Sequence, residues 1–239
     1  MNNKRTKRLP RIILNQSLVG LLMGILAFSV LFFAEGYRLN LTNMKVVKTG
    51  ILFLSSDPRG ATIYLNDKIL DDKTPNAQNL SAGNYNAKIE MPGYKTWSAA
   101  FKVNAGLVTE FDQIVLFKEN PDVSNLTDQR KIELLNSPVD FLAGTNEKNS
   151  LIDNGYEIWQ NNNLVTRFST PINNVVWYPD MKHILYQQGK EIRVIEISGI
   201  NDTLLTTLST ETPIHFTVNN RGDELYFLDN SQYKVAKIR

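Results

Sequence analysis

The chain has 239 residues, of which 26 are basic and 24 acidic, so its net charge is +2. This length suggests one or two domains. Hydrophobic residues make up 42% and charged residues 21%, an ordinary globular balance that argues against a disordered chain. Because it has no cysteine and only two histidines, thiolate zinc sites, iron–sulfur clusters, disulfide frameworks and cysteine nucleophiles are excluded.

Basic side chains gather at the N-terminus, and an uncharged segment follows them. The basic residues are Lys4, Arg5, Lys7, Arg8 and Arg11. Residues 12–34 carry no charge, and residues 18–34 are almost all apolar without the polar stripe of a buried core helix. Because about 20 such residues span the hydrocarbon core as a helix, we predict a cytoplasmic tail at 1–11 and a transmembrane helix at 12–34.

The flanks of this span predict its orientation. The positive-inside rule places the N-terminus in the cytoplasm and the remainder outside, as a single-pass protein of the cell membrane. A cleaved signal peptide is the alternative, but the apolar run exceeds the roughly 7–15 residues of a signal h-region. Bulky Phe32 and Phe33 also stand where a signal peptidase needs small side chains. We therefore expect a retained signal-anchor, followed by a juxtamembrane linker at 35–49.

Residues 50–118 have the pattern of a β domain. Short apolar or alternating runs predict strands at residues 50–56, 61–65, 85–91, 95–103 and 107–117. Turn-forming Gly, Pro and Asn separate these runs, which is typical of an antiparallel sandwich or barrel. No amphipathic helix is predicted in this block.

The run Ser-Asp-Pro-Arg-Gly-Ala-Thr-Ile-Tyr-Leu-Asn-Asp at 56–67 resembles the signature of the PEGA domain, with Arg59 in place of its Glu. The run Leu-Ser-Ala-Gly-Asn-Tyr at 80–85, followed by Pro-Gly-Tyr at 92–94, resembles the second half of the same family. The resemblance implies a small antiparallel β-sandwich, found on exported surface proteins and without catalytic residues. The motif positions are Pro58, Gly60, Ala61, Tyr64, Gly83, Tyr85, Pro92, Gly93 and Tyr94.

These motif residues are interpreted as structural, because turn Gly and Pro need no ligand to explain them. Tyr94 and Trp97 leave two alternatives open. They belong to the core, which aromatics dominate in sandwiches, or they form an exposed stacking platform for an aromatic contact.

The remainder of the chain contains a connector and a weak repeat. Residues 119–135 are predicted as a connector, with a short helix in 126–135 that Thr127 or Asp128 caps. In residues 136–239 an apolar strand, a turn and a returning strand occur twice, with Leu225 of the second copy at the place of Ile184 in the first. An earlier hairpin, which begins at Leu151, resembles the one that begins at Leu185. We expect antiparallel meanders with Trp177 and Phe216 facing inward at equivalent positions.

The spacing of the repeat, roughly 40 residues, fits propeller blades, and the motifs resemble the repeats of TolB-like β-propeller proteins. About a hundred residues make only two to three blades, whereas a closed propeller needs at least four. Three explanations stay open: a truncated member of a longer family, an open sheet that needs a partner, or a ring of protomers. The predicted fold class is therefore mainly β with one N-terminal transmembrane helix. A small antiparallel β-sandwich is followed by a partial, two- to three-blade β-propeller-like region at 136–239.

Catalytic motifs are absent from the sequence. His183 and His215, which we place at similar positions in two repeats, lack metal-ligand spacing, and there is no P-loop, G-x-G-x-x-G or G-x-S-x-G. We therefore expect no metal, no cofactor and no enzyme activity. Without the N-terminal tail the chain has 21 basic and 24 acidic residues, which disfavours nucleic-acid binding.

These observations predict a membrane-anchored, extracytoplasmic binding or scaffold protein of the cell envelope. It would recognise a glycan or a surface protein through its β domains, and self-association is a further expectation because open strand edges invite pairing. The alternative is an accessory subunit or enzyme that acts on envelope polymers.

Overall fold

The computed structural model describes residues 8–34, 36–40, 45–136 and 151–239. Most of the predicted tail, part of the linker and residues 137–150 of the C-terminal block lie outside the described residues. Within these ranges the chain is mainly β, with a long helix α1 (Arg8–Ala34) and a short helix α2 (Gln129–Asn136).

The strands follow one another with short connections. Those of the first half are β1 (Tyr37–Asn40), β2 (Lys45–Asp57), β3 (Thr62–Leu65), β4 (Lys68–Lys73), β5 (Asn76–Ser81), β6 (Gly83–Glu90), β7 (Trp97–Val103) and β8 (Val108–Val115). Those of the second half are β9 (Asp122–Asn125), β10 (Leu151–Asp153), β11 (Glu157–Gln160), β12 (Asn163–Arg167), β13 (Ile172–Trp177), β14 (His183–Gln188), β15 (Glu191–Glu196), β16 (Thr203–Thr207), β17 (Phe216–Val218), β18 (Glu224–Asp229) and β19 (Gln232–Lys237).

The first eight strands form two small sheets. One has the order β1-β2-β5, with β8 also paired to β2, and the other has the order β4-β3-β6-β7. The pairs β2–β5, β3–β4 and β3–β6 are antiparallel. All five strands predicted in residues 50–118 are present and this block contains no helix, while β4 and β5 are additional strands.

The hairpin β3–β4 shows how the sequence determines this part of the fold. Ala61, Ile63 and Leu65 alternate with half-buried residues and are at most 9% exposed, as the period of two predicts. The turn consists of Asn66 and Asp67, whose φ angles are 48° and 63°. A two-residue hairpin turn of this handedness favours Asn and Asp, so the predicted turn is confirmed.

The C-terminal strands form three further sheets, none of which closes on itself in the described part of the chain. Their orders are β10-β11-β12, β13-β14-β15-β16 and β17-β18-β19-β9, and all pairs within them are antiparallel. The predicted meanders are therefore confirmed. Strand β9 was not predicted, because it lies in the segment interpreted as a connector.

The strand registers reproduce both repeats seen in the sequence. Leu151 pairs with Gln160 and Leu185 with Val194, so β10–β11 and β14–β15 have the same register when Leu151 is aligned with Leu185. Ile184 pairs with Ile195 and Leu225 with Ala236, so β14–β15 and β18–β19 have the same register when Ile184 is aligned with Leu225.

Two details of the predicted repeat are wrong. Trp177 and Phe216 are both buried, but Trp177 pairs with Ile184 and Val218 pairs with Leu225, so Val218 takes the place of Trp177. The same register separates the two histidines. His183 begins β14, whereas exposed His215 precedes β17, so they do not occupy similar positions.

Helix α2 confirms the short helix predicted in the connector. The Asp128 carboxylate accepts a hydrogen bond from the backbone N–H of Arg130 at 3.0 Å and so caps the first turn. Leu135 is buried on the opposite end of the helix and clusters with Leu126 and Tyr226.

The structure divides into two compact units. The first comprises Met1–Leu54, Asn76–Tyr85 and Ala100–Asp112, and the second comprises Ser55–Pro75, Asn86–Ala99 and Gln113–Arg239. In the second unit, one buried cluster contains Ile158, Trp177 and Ile184. Another contains Leu185 and Phe227. Consecutive sheets of the C-terminal block therefore share their cores.

Candidate functional site

The most apolar feature of the chain is the segment Gln16–Ala34 of α1, which has a mean hydropathy of 2.4 and no buried residues. Leu26 and Phe28 are 67% and 69% exposed, although a soluble protein would bury such side chains. The segment is long and apolar enough to cross a membrane, and a signal sequence would share these properties. The helix therefore indicates membrane anchoring or a signal peptide.

The first group of motif residues forms a turn around buried Thr74. Gly60 has a φ of +87° between β2 and β3, a conformation that glycine adopts without steric cost. The backbone N–H groups of Gly60 and Ala61 donate to Thr74, at 2.8 Å to its carbonyl and 3.0 Å to its hydroxyl. The Thr74 hydroxyl also lies 2.6 Å from the Ser56 hydroxyl. The polar groups of Ser56, Gly60, Ala61 and Thr74 described here are hydrogen-bonded to one another and not to a ligand. Thr74 is the residue of this turn that the sequence analysis did not single out.

Several other motif residues also have structural contacts. The Lys88 ammonium lies over the Tyr64 ring, 4.2 Å from the ring centroid. Tyr85 stacks on Phe101 with a centroid distance of 6.1 Å, and its hydroxyl donates to the Ser81 carbonyl. Pro58 follows a cis peptide bond, and Gly93 has a φ of +82° beside exposed Pro92. Gly83 begins β6.

The two aromatic residues that were open between core and platform differ. Tyr94 is half-buried and forms an isolated bridge with Lys118. Trp97 is only 4% exposed, and its indole N–H donates to the Glu196 carboxylate at 2.6 Å. Trp97 is therefore no exposed stacking platform, because its ring is buried and its polar atom is bound within the chain.

Within the second unit, the segment around Trp97 contacts the C-terminal sheets. Glu196 lies at one end of this contact. Asn201 donates to the same Glu196 oxygen at 2.8 Å and accepts from the backbone N–H of Ser98 at 3.1 Å. At the other end, the backbone N–H of Lys118 donates to the Ile238 carbonyl at 2.9 Å, and Arg239 forms an ion pair with Asp57 at 2.9 Å.

Between these polar ends lies a buried aromatic cluster. The Phe117 ring packs edge-on against Tyr178 and His183, with centroid distances of 5.7 and 5.9 Å. The His183 ring nitrogen Nδ1 lies 2.6 Å from the Asp180 carboxylate. Burial raises the pKa of Tyr178, whose hydroxyl donates to the Gly222 carbonyl. Burial works against ionised Asp180, but its hydrogen bonds to His183 and Lys182 hold its pKa below the usual 3.8.

We call this contact the junction. It comprises Trp97, Phe117 and Lys118 on one side and Tyr178, His183, Glu196 and Ile238 on the other. At the junction lies a partly open cavity of about 10 Å³, lined in part by Lys95, Thr203 and Asn201. This volume admits about one water molecule and no organic ligand. Among the described residues, no group of three or more His, Cys, Asp or Glu side chains could hold a metal ion.

The geometry of the junction is that of a contact that holds parts of the chain together. Its aromatic rings are buried and the polar groups around them are hydrogen-bonded, which is the pattern of a stable interface. Neither partner of the Trp97–Glu196 bond was predicted to meet the other, since 99 residues separate them and no local pattern links them.

Comparison with known families supports one part of this structure. Residues 49–116 match the PEGA domain. The match includes β2 to β8 almost completely and agrees with the resemblance found in the sequence motifs. The PEGA domain indicates an extracellular or surface-associated location for residues 49–116, which we call the PEGA region from here on. No curated protein matches the chain.

Proposed function

We propose that the chain is a single-pass, membrane-anchored protein of the cell envelope whose β domains lie outside the cell and act as a binding or scaffold module. The observation that carries this proposal is the order of its parts. An unburied apolar helix ends at Ala34, and a region matched by an extracellular domain family begins at residue 49. The basic residues before the helix favour a cytoplasmic N-terminus.

The proposed activity is recognition, not catalysis. The junction cavity is too small for an organic ligand, so we place recognition of a glycan or surface protein on exposed strands. Two such strands are β4 and β9, which are edge strands with almost entirely exposed side chains. Edge strands carry unpaired backbone groups that can hydrogen-bond a partner.

We further propose that the three C-terminal sheets are propeller-like blades, in line with the resemblance to TolB-like repeats. Two features support this assignment. One hairpin in each of the three sheets has the same register as its counterpart in the next sheet, and the last sheet takes its fourth strand, β9, from the chain upstream of the other two sheets. The PEGA region is proposed to be a small β-sandwich.

The orientation can be tested with single cysteines, because the chain has none of its own. Glu110 is exposed on β8, and Asn3 lies before the helix. A membrane-impermeant maleimide should label Glu110→Cys in intact, wall-stripped cells and label Asn3→Cys only after permeabilisation. The reverse pattern would overturn the orientation. Release of the labelled Glu110→Cys protein from the membrane at high pH would favour a cleaved signal peptide.

Binding and catalysis can be separated with the full chain in lipid nanodiscs. Incubated with insoluble envelope polymer, the nanodisc-bound protein should co-sediment without releasing soluble sugar ends. Release of sugar ends in proportion to protein would support the enzyme alternative. Equal sedimentation of empty nanodiscs would remove the glycan as partner and leave a surface protein as the expected target.

A further inference from the structure

A loop of the first unit lies beside the end of the proposed membrane anchor. Residues 104–108, which comprise the connection from β7 to β8 and the first residue of β8, read Asn-Ala-Gly-Leu-Val, without any charge. All five residues are exposed, and Leu107 and Val108 are 59% and 60% exposed. Two adjacent apolar side chains at a loop tip are unusual for a surface that contacts only water.

Backbone hydrogen bonds hold this loop next to the helix. Gly36, two residues after the end of α1, accepts from the Thr49 backbone N–H at 2.9 Å. The Thr49 carbonyl in turn accepts from the Gly106 N–H at 2.9 Å, and the Leu107 carbonyl accepts from the Ile51 N–H at 2.9 Å. The loop is therefore two hydrogen bonds away from the point where the chain leaves α1.

Gly50 explains how the loop approaches so closely. A Cβ atom at position 50 would overlap the Asn104 and Leu107 carbonyl oxygens and the Val103 side chain. Only glycine allows this approach, so the loop is fixed by packing as well as by hydrogen bonds.

The side chains around the loop match the composition of a membrane interface. Tyr37 stacks on Phe32 of α1 at a centroid distance of 5.0 Å, and the Lys48 ammonium lies 5.3 Å from the Tyr37 ring centroid. The Arg38 guanidinium lies 5.3 Å from the ring centroid of Phe33. Aromatic rings with neighbouring Lys and Arg are typical of the headgroup level of a bilayer.

We propose that the loop at residues 104–108 inserts into the interfacial layer of the outer leaflet, with Leu107 and Val108 among the lipid headgroups and upper acyl chains. This inference rests on the proposed function, since it needs α1 to be a retained anchor. The same loop would be solvent-exposed in a protein released by a signal peptidase. The first unit would thus contact the bilayer at two points, the helix and the loop.

The test uses the full chain in nanodiscs and three single-cysteine variants that carry the same environment-sensitive fluorophore. Val108→Cys reports the loop and Leu26→Cys reports the middle of α1. Ala77→Cys is the control, because Ala77 is exposed on β5 of the same unit and pairs with Phe53, four residues along β2 from Thr49.

Nitroxide lipids labelled near the headgroup should quench the Val108 probe and shift its unquenched emission to shorter wavelength. Lipids labelled deep in the acyl chain should quench the Leu26 probe, and neither lipid should quench the Ala77 probe. A Val108 probe that behaves like the Ala77 probe, while the Leu26 probe is quenched, would overturn the inference and leave the anchor intact. An unquenched Leu26 probe would overturn both the anchor and the inference.

Discussion

At the scale of single residues, Glu196 joins parts of the sequence that are far apart. One of its carboxylate oxygens accepts hydrogen bonds from Trp97 at 2.6 Å and Asn201 at 2.8 Å. The other accepts from the Ser198 hydroxyl at 3.2 Å. Because Trp97 is buried, breaking the pair would leave its indole N–H without the carboxylate partner that it has within the chain, so the pair is costly to break.

Replacing Trp97 by Phe should therefore destabilise the protein by roughly 1–3 kcal/mol, the range for losing a hydrogen bond to a charged group. Glu196→Gln should cost less, because the amide oxygen can still accept. A double-mutant cycle by urea unfolding that combines Trp97→Phe with Glu196→Ala, which removes the acceptor, should give a coupling energy clearly above zero. Strict additivity of the two substitutions would show that the hydrogen bond contributes nothing to stability.

Gly60 gives a second residue-scale prediction. A Cβ at this position would touch no other atom, so any cost comes from its φ of +87° and not from crowding. Gly60→Val should lower the free energy of unfolding by about 1–3 kcal/mol, the usual cost of such a backbone conformation in a side-chain-bearing residue. Gly83→Val is the control, because Gly83 does not have a positive φ and a Cβ there would make an ordinary contact of 3.7 Å. Equal melting temperatures for the two variants would contradict this account.

At the scale of elements, prediction from sequence succeeded where burial imposes a pattern. Strand β3 alternates because one face is buried, and α2 has an Asp cap and apolar residues on one side. Strand β4 was missed because its Lys-Ile-Leu-Asp-Asp-Lys sequence is almost wholly exposed and has no alternation. Strand β9 was missed because its four residues are exposed and become a strand only by pairing with β19.

The site was predictable to a lesser degree than the fold. The glycine turns at Gly60 and Gly93 were identified because turn chemistry is local. The Trp97–Glu196 contact depends on how distant elements meet, and no spacing in the sequence encodes that. The prediction that Trp177 and Phe216 occupy equivalent positions was wrong for a related reason. The alignment of Ile184 with Leu225 was right, but its application to the preceding strands was off by two residues.

The hairpin β18–β19 supports a prediction on pH. Asp229 ends β18 and is 2% exposed, and it accepts from the Ser209 backbone and hydroxyl and from Lys234 at 2.7–2.9 Å. Burial opposes its ionisation, but these donors hold the pKa of Asp229 below the usual 3.8. A carboxyl with a lowered folded pKa adds stability above its unfolded pKa and loses it as the pH falls through the folded pKa.

Stability should therefore decline as the pH falls below about 4, and Asp229 should supply part of that slope. Asp229→Asn should cost roughly 1–3 kcal/mol at pH 7 and should flatten the curve of unfolding free energy between about pH 5 and 3. Asp72→Asn, at an exposed position on β4, should leave both the stability and the slope unchanged. An Asp229→Asn protein with the unaltered pH slope would refute the assignment.

At the scale of the whole molecule, the PEGA region is not isolated from the C-terminal sheets. Val115 and Phe117 belong to the same buried cluster as Tyr178, Leu185 and Phe227. The C-terminal sheets are open in the described part of the chain. Val115 of the PEGA region and Phe117, which follows that region, add apolar surface to the core that these sheets share, and a larger core is more stable.

This shared core predicts that the chain stays together when it is cut. A protease site can be inserted between Glu119 and Asn120, which are exposed. Cleavage there breaks the covalent link between the PEGA region and the C-terminal sheets. After cleavage of the full chain in nanodiscs, residues 120–239 should remain bound, because Phe117 and the Lys118–Ile238 hydrogen bond still link the two pieces.

Phe117→Ala should cost about 3–5 kcal/mol and release much of the C-terminal piece, since large aromatic truncations in cores have this effect. Phe111→Ala, which shortens a half-buried aromatic residue of the first unit, should not release it. Complete release from the cleaved parent, as a stable monomer, would show that Val115 and Phe117 contribute nothing to the core of the C-terminal sheets.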